Sequence, residues 1–166
     1  MRTFQLFAVV LLVVLVCVWW ILSTEAQLPA RVVTKWTNGI ATNYMTRQQW
    51  LTAAAGMVVA VGVVLSCVAA LATRFPRIVR VGGVTLTASA QVWLRTRRQG
   101  AFFVLAALHV LWMTWFHWMV LQANRMQPPQ LSATPIAVWV VTQLAVVMGF
   151  VAYMFYTTLR ARRMRS

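Results

Sequence analysis

Four long runs without Asp, Glu, Lys or Arg restrict the possible folds of this chain more than any other feature. They occupy residues 4–23, 51–73, 101–122 and 135–159. Each run is close to or above the about 20 residues that a helix needs to cross a hydrocarbon core. Inside lipid the backbone amides must be paired within the protein, so all four runs should be helices. We predict an all-α fold, an integral membrane four-helix bundle with one domain over residues 1–166.

The composition excludes an ordinary water-soluble domain. Hydrophobic residues make up 61% of the chain and charged residues 10%, whereas soluble domains carry about 25% charged residues. Fifteen Lys and Arg against one acid, Glu25, give a net charge of +14. Such a charge is also typical of nucleic-acid-binding proteins. Here the cations lie between and after the apolar runs, as in membrane proteins, so we expect no nucleic-acid partner.

The positions of the cations predict how the helices cross the membrane. Eleven of them lie at the N-terminus, in segment 74–100 and in the tail 160–166, and four lie in segments 24–50 and 123–134. The positive-inside rule then places both termini and loop 74–100 in the cytoplasm. Segments 24–50 and 123–134 become outer loops of a protein of the inner, cytoplasmic membrane. The first run is longer than the about 7–15 apolar residues of a signal peptide, which favours an uncleaved anchor.

The outer loop 24–50 contains signals for a chain that folds back on itself. Leu28-Pro29 favours an extended exit from the first helix, because proline restricts the residue before it. Thr-Asn-Gly-Ile at 37–40 is typical of a tight turn. We therefore predict a structured loop, a short hairpin or cap. It can serve as a lid over the outer face of the bundle or as a ligand-recognition loop.

This loop also resembles a known family. The stretch LPARVVTKWTNGIATNYMTRQQW at 28–50 is similar to the unit called domain of unknown function 1648, which forms the N-terminal part of SdpI-type immunity proteins. The likeness continues in short pieces along the chain, in the same order relative to the helices. Its residues are Leu28-Pro29, Arg31, Trp36, Gly39, Tyr44 and Thr46-Arg47, then Phe75-Pro76, Trp93-Leu94, Arg97-Arg98, Ala123-Asn124 and residues 129–132.

The resemblance implies little chemistry, since most members of the family are uncharacterised membrane proteins. The SdpI-type branch protects its host from a secreted peptide toxin and signals its presence. Lys35 stands where the family has histidine, and Thr42 where aspartate is common. Any ligand or metal role that depends on the family's histidine and aspartate is therefore not expected here. We predict partner binding by the outer loop, at Leu28, Pro29, Arg31, Lys35, Trp36, Asn38, Gly39, Tyr44 and Arg47.

The two histidines of the chain, His109 and His117, lie in the third run. On a helix they are about 12 Å apart along the axis and about 80° apart around it, so they cannot hold one haem or metal together. A histidine–methionine haem site at either one is a weak candidate for a cofactor. The alternative is a pair of neutral histidines that hydrogen-bond across helices. No nucleophile–base pair, metal motif or phosphate loop occurs, so we predict neither an enzyme nor a resident metal.

Two further predictions concern the surroundings of the bundle. The first is contact between the basic inner loop and anionic lipid headgroups. The second is a membrane-protein partner or a further copy of the chain, so an accessory subunit of a larger complex remains an alternative function. The small residues Gly56, Ala60 and Gly62 of the second run would allow such a neighbour to approach closely. The arginines expected at lipid headgroups are Arg74, Arg77, Arg80, Arg95, Arg97 and Arg98.

Overall fold

The chain forms four long helices. The structure, a computed structural model, describes residues 2–37, 40–71, 80–81, 84–126, 128–131 and 133–164. All four helices are long and apolar enough to cross a membrane, which confirms a mainly helical chain with the character of a membrane protein. Their bounds are α1 Arg2–Ser23, α2 Arg47–Leu71, α3 Ala88–Arg125 and α4 Ala133–Arg163.

Two small antiparallel sheets make the all-α prediction incomplete. Strands β1 (Arg31–Thr37) and β2 (Ile40–Thr46) form a hairpin between α1 and α2. Strands β3 (Arg80–Val81) and β4 (Val84–Thr85) pair before α3. The first pair agrees with the short hairpin that the sequence predicted, with a cap as the alternative, for segment 24–50. The second hairpin was missed because two-residue strands leave no periodic pattern.

Helix α3 starts well before the predicted start of the third run at residue 101. Thr87 caps it, with Oγ1 accepting a hydrogen bond from the amide of Ala90 at 3.3 Å. Its 38 residues correspond to a length of about 57 Å, well beyond the about 30 Å of a hydrocarbon core. The segment before residue 101, which was predicted to belong to a loop, therefore continues the helix and carries Arg95, Arg97 and Arg98.

Helices α1, α2 and α3 surround a common core, whereas α4 packs mainly against α3. Gly62 of α2 brings the three core helices together, since a Cβ there would overlap Val14 of α1 and lie 3.2 Å from Val110 of α3. A Cβ added at Gly56 would meet no atom within 4 Å, and Ala60 is exposed. The three small residues predicted to form one face of α2 therefore have different surroundings: Gly62 is buried among helices of this chain, whereas Gly56 and Ala60 are exposed. The core contains Val14, Ile21, Val58, Phe103 and Val110.

The β1–β2 hairpin lies on the end of the bundle where α1 ends and α2 begins. We call this the hairpin end. Thr37 pairs with Ile40, which leaves the two residues 38 and 39 between the strands. Val32 is fully buried in the helical core, with Trp36 and Met45 packed beside it. One side of the hairpin is thus part of the core.

Helix α4 is tied to α3 at several levels. The rings of Trp112 and Trp139 stack with centroids 3.7 Å apart, and each indole nitrogen donates to the backbone carbonyl of the other residue. Further along, Phe102 contacts Phe150 edge-on. Near the other end, Arg98 donates to Oγ1 of Thr158 at 2.8 Å. Leu86, Ala90 and Leu94 then form a small second core with Ala161 of α4.

Candidate partner-binding hairpin and buried histidines

Asn124, at the end of α3, holds the hairpin in place. Its side-chain Oδ1 accepts from the backbone amide of Val33 at 2.7 Å, and its Nδ2 donates to the Val33 carbonyl at 3.0 Å. The same Nδ2 donates to the carbonyl of Val120 at 2.9 Å. The side-chain amide therefore acts as a strand partner for one residue of β1. Because Asn124 is buried, these bonds exchange little with water and fix the position of the hairpin.

Three of the predicted partner-binding residues serve the fold. Leu28 is buried in the helical core. Trp36 is half-buried, and its indole nitrogen donates to the carbonyl of Pro129 at 3.2 Å. Arg47 is half-buried at the start of α2, with its amide bonded to the carbonyl of Ala30. The side chains of Leu28 and Trp36 thus pack within the protein, and the backbone of Arg47 joins α2 to the segment before β1.

The other side of the hairpin faces outward. Arg31 and Lys35 of β1 are exposed, and so is Pro29 before the strand. Tyr44 is 52% exposed and Ile40 is 69% exposed. Ile40 was not among the predicted residues, although its place next to the predicted turn would have indicated it. Asn38 and Gly39, also predicted to bind a partner, lie outside the described residues.

His117 occupies a closed polar site between three helices at the hairpin end. The indole nitrogen of Trp50 donates to Nδ1 of His117 at 3.1 Å. Because an indole is a donor only, Nδ1 carries no proton. Nε2 of the neutral ring then donates to Oγ1 of Thr24 at 2.9 Å, and Thr24 donates to the carbonyl of Ile21 at 2.6 Å. The ring is 1% exposed, and Trp20 contacts it edge-on.

His109 carries its ring proton on Nδ1, whereas His117 carries it on Nε2. Its Nδ1 lies 2.9 Å from the carbonyl oxygen of Leu105, which can only accept, so Nδ1 carries the proton. Nε2 then accepts from the side-chain amide of Gln143 on α4 at 2.7 Å. His109 thus links α3 to α4, whereas His117 links α3 to the ends of α1 and α2.

Both candidate cofactor ligands therefore have both ring nitrogens engaged within the protein. A haem iron at His109 or His117 would first have to displace one of these bonds. In the described part of the chain, no three His, Cys, Asp or Glu side chains come together to hold a metal ion. The arrangement fits the alternative of neutral histidines that hydrogen-bond across helices. The sequence allowed both interpretations because it does not show what surrounds each ring.

The arginines predicted to contact lipid headgroups have different surroundings. Arg97 is exposed and lies 5.8 Å from the centre of the Trp93 ring, which Arg160 also approaches at 5.5 Å. Arg95 is half-buried, and Arg98 is half-buried with its bond to Thr158. Arg80 belongs to β3, whereas Arg74 and Arg77 lie outside the described residues.

Comparison with known protein families, with characterised proteins and with solved structures finds no match to this chain.

Proposed function

We propose that this chain is a non-enzymatic membrane protein that binds a membrane or envelope partner through the outward side of its β1–β2 hairpin. One observation carries the proposal: the hairpin is held rigidly by Asn124 while Ile40 and Tyr44 remain exposed. Large apolar and aromatic side chains on a fixed scaffold are typical of binding surfaces. The immunity or sensor role implied by the family resemblance is a special case of this function.

The charge of the hairpin indicates the chemistry of the partner. Arg31 and Lys35 are exposed on β1, and neither strand contains an acidic residue. A partner with an apolar contact surface and negative charge at its margin would complement this side. The predicted orientation, with both termini cytoplasmic in the inner membrane, places the hairpin on the outer face, where an envelope protein or peptide can reach it.

Photo-crosslinking in intact cells tests this proposal. A photoreactive phenylalanine analogue replaces Tyr44, and the same analogue replaces Phe155 on α4 as the control, because Phe155 is 66% exposed far from the hairpin. We expect a discrete protein adduct from position 44 that an Ile40→Ala substitution reduces. The proposal would be contradicted if position 44 gave no adduct, or if Ile40→Ala left that adduct unchanged.

The exposed side of α4 favours a second candidate, an accessory subunit of a larger membrane complex. The most apolar stretch of α4 has none of its residues buried. Val141, Met148 and Phe155 are each more than 60% exposed along this helix. Another transmembrane helix could cover them by close packing. In the same experiment, a protein adduct from position 155 and none from position 44 would select this function.

A further inference from the structure

A long apolar cleft opens between α3 and α4. Its volume is about 1,020 Å³, at the upper end of the about 300–1,000 Å³ of ligand pockets. Leu6 of α1 contributes to one wall. Gly100 of α3 and Gly149 of α4 both line the cleft, and at both positions an added Cβ would meet no atom within 4 Å. The cleft exists partly because these two positions lack side chains.

The cleft has a polar end and an apolar end. Trp93, Thr96, Arg97 and Tyr153 lie at the end nearer the start of α3, and the lining becomes wholly apolar towards Leu108. From Arg97 to Leu108 the helix rises about 16 Å, about half the thickness of a hydrocarbon core. The depth of the cleft thus corresponds to one leaflet of a bilayer.

We propose that this cleft binds one anionic phospholipid, with its acyl chains between α3 and α4 and its phosphate on Arg97. Arg97 is exposed at the mouth of the cleft beside Trp93. The one acidic residue of the chain, Glu25, follows α1 at the hairpin end, so no acidic side chain competes for this guanidinium. Tryptophan and arginine are the residues expected at the level of the headgroups.

The shape of the cleft favours a lipid over a transmembrane helix. Beyond Leu108 the gap between α3 and α4 is closed by the bond between His109 and Gln143 and by the stacked rings of Trp112 and Trp139. A helix from another protein would need a groove along most of the about 30 Å hydrocarbon core. A lipid of one leaflet needs half that depth. Lipid binding in the cleft is independent of any partner at the hairpin.

Labelling with a photoreactive lipid tests the proposal. The full-length protein is placed in vesicles of phosphatidylcholine and phosphatidylglycerol, with a trace of either lipid carrying a photoreactive group in its acyl chain. We expect phosphatidylglycerol to label residues 100–108 and 145–153, and to do so about tenfold more than phosphatidylcholine, the ratio for one charge-assisted contact.

Three variants distinguish the outcomes. Gly149→Leu fills the cleft and should lower the label about tenfold, whereas Gly56→Leu, at an equally open glycine on α2, should not change it. Arg97→Gln should remove the preference for phosphatidylglycerol but retain the label. This second variant tests the proposal even if Gly149→Leu does not fold. Equal labelling of Gly149→Leu and the natural chain would overturn the proposal. So would a preserved preference for phosphatidylglycerol in Arg97→Gln, or the absence of label from residues 100–108 and 145–153 of the natural chain.

Discussion

The indole nitrogen of Trp50 lies 3.1 Å from Nδ1 of His117, a residue 67 positions further along the chain. This bond determines which ring nitrogen of His117 carries the proton, and through Thr24 it connects the ends of α1, α2 and α3. The hairpin segment therefore leaves α1 and enters α2 at helix ends that are joined by a polar site, and each of its three buried side chains has a partner.

Replacing His117 with alanine should destabilise the bundle. The substitution removes the acceptor of Trp50 and the donor to Thr24, and it leaves a cavity between three helices. We expect the free energy of unfolding to fall by about 2–4 kcal/mol, measured by detergent-induced unfolding in mixed micelles. Leu111→Ala, at a residue that is 51% exposed on the same helix, is the control. A loss no larger than that of the control would show that the site does not hold the helices together.

The two histidines should be neutral and opposite in tautomer. His117 carries its proton on Nε2 and His109 carries it on Nδ1, because their partners are an indole donor and a carbonyl acceptor respectively. Nitrogen-15 NMR of protein labelled at histidine distinguishes these forms, and His109→Gln assigns the two signals. The same tautomer at both positions, or a protonated ring at neutral pH, would disagree with the observed hydrogen bonds.

Replacing Asn124 with alanine should release the hairpin from α3. The amide of Val33 loses its acceptor, and its carbonyl loses one donor. We expect the Val33 amide to exchange with solvent deuterium about tenfold faster, because local opening costs less. Amides in the middle of α2 should be unaffected. Gln48→Ala, at an exposed residue near the hairpin, serves as the comparison, and equal exchange in both variants would argue against the anchoring role.

Two glycines of α2 should respond in opposite directions to alanine. Gly62→Ala places a Cβ against Val14 and Val110, so the free energy of unfolding should fall by about 1–3 kcal/mol. Gly56→Ala meets open space and should raise it by about 0.5–1 kcal/mol, because alanine is the better helix former. Chemical unfolding of both variants measures the difference. Adding Val14→Ala to Gly62→Ala should restore part of the lost stability, and no recovery would place the strain elsewhere.

The sequence by itself determined the four helices and the fold-back after the first one. A long apolar run predicts a transmembrane helix, and an Asn-Gly pair predicts a turn. Both predictions are possible because these structures depend on residues that are adjacent in the chain. The start of α3 was harder to predict, since residues 88–100 mix polar and apolar side chains and their helix is stabilised by packing against Ala161 of α4.

The tertiary structure decided what the polar residues do. His117 has partners at Thr24 and Trp50, and Asn124 holds Val33, across separations of 67 to 93 residues. Such pairings depend on how each helix is rotated about its axis and where it meets its neighbours. The same holds for the cleft beside Gly149, which ends where the stacked rings of Trp112 and Trp139 join α3 to α4. A linear pattern records which residues are apolar, but not which of them face one another.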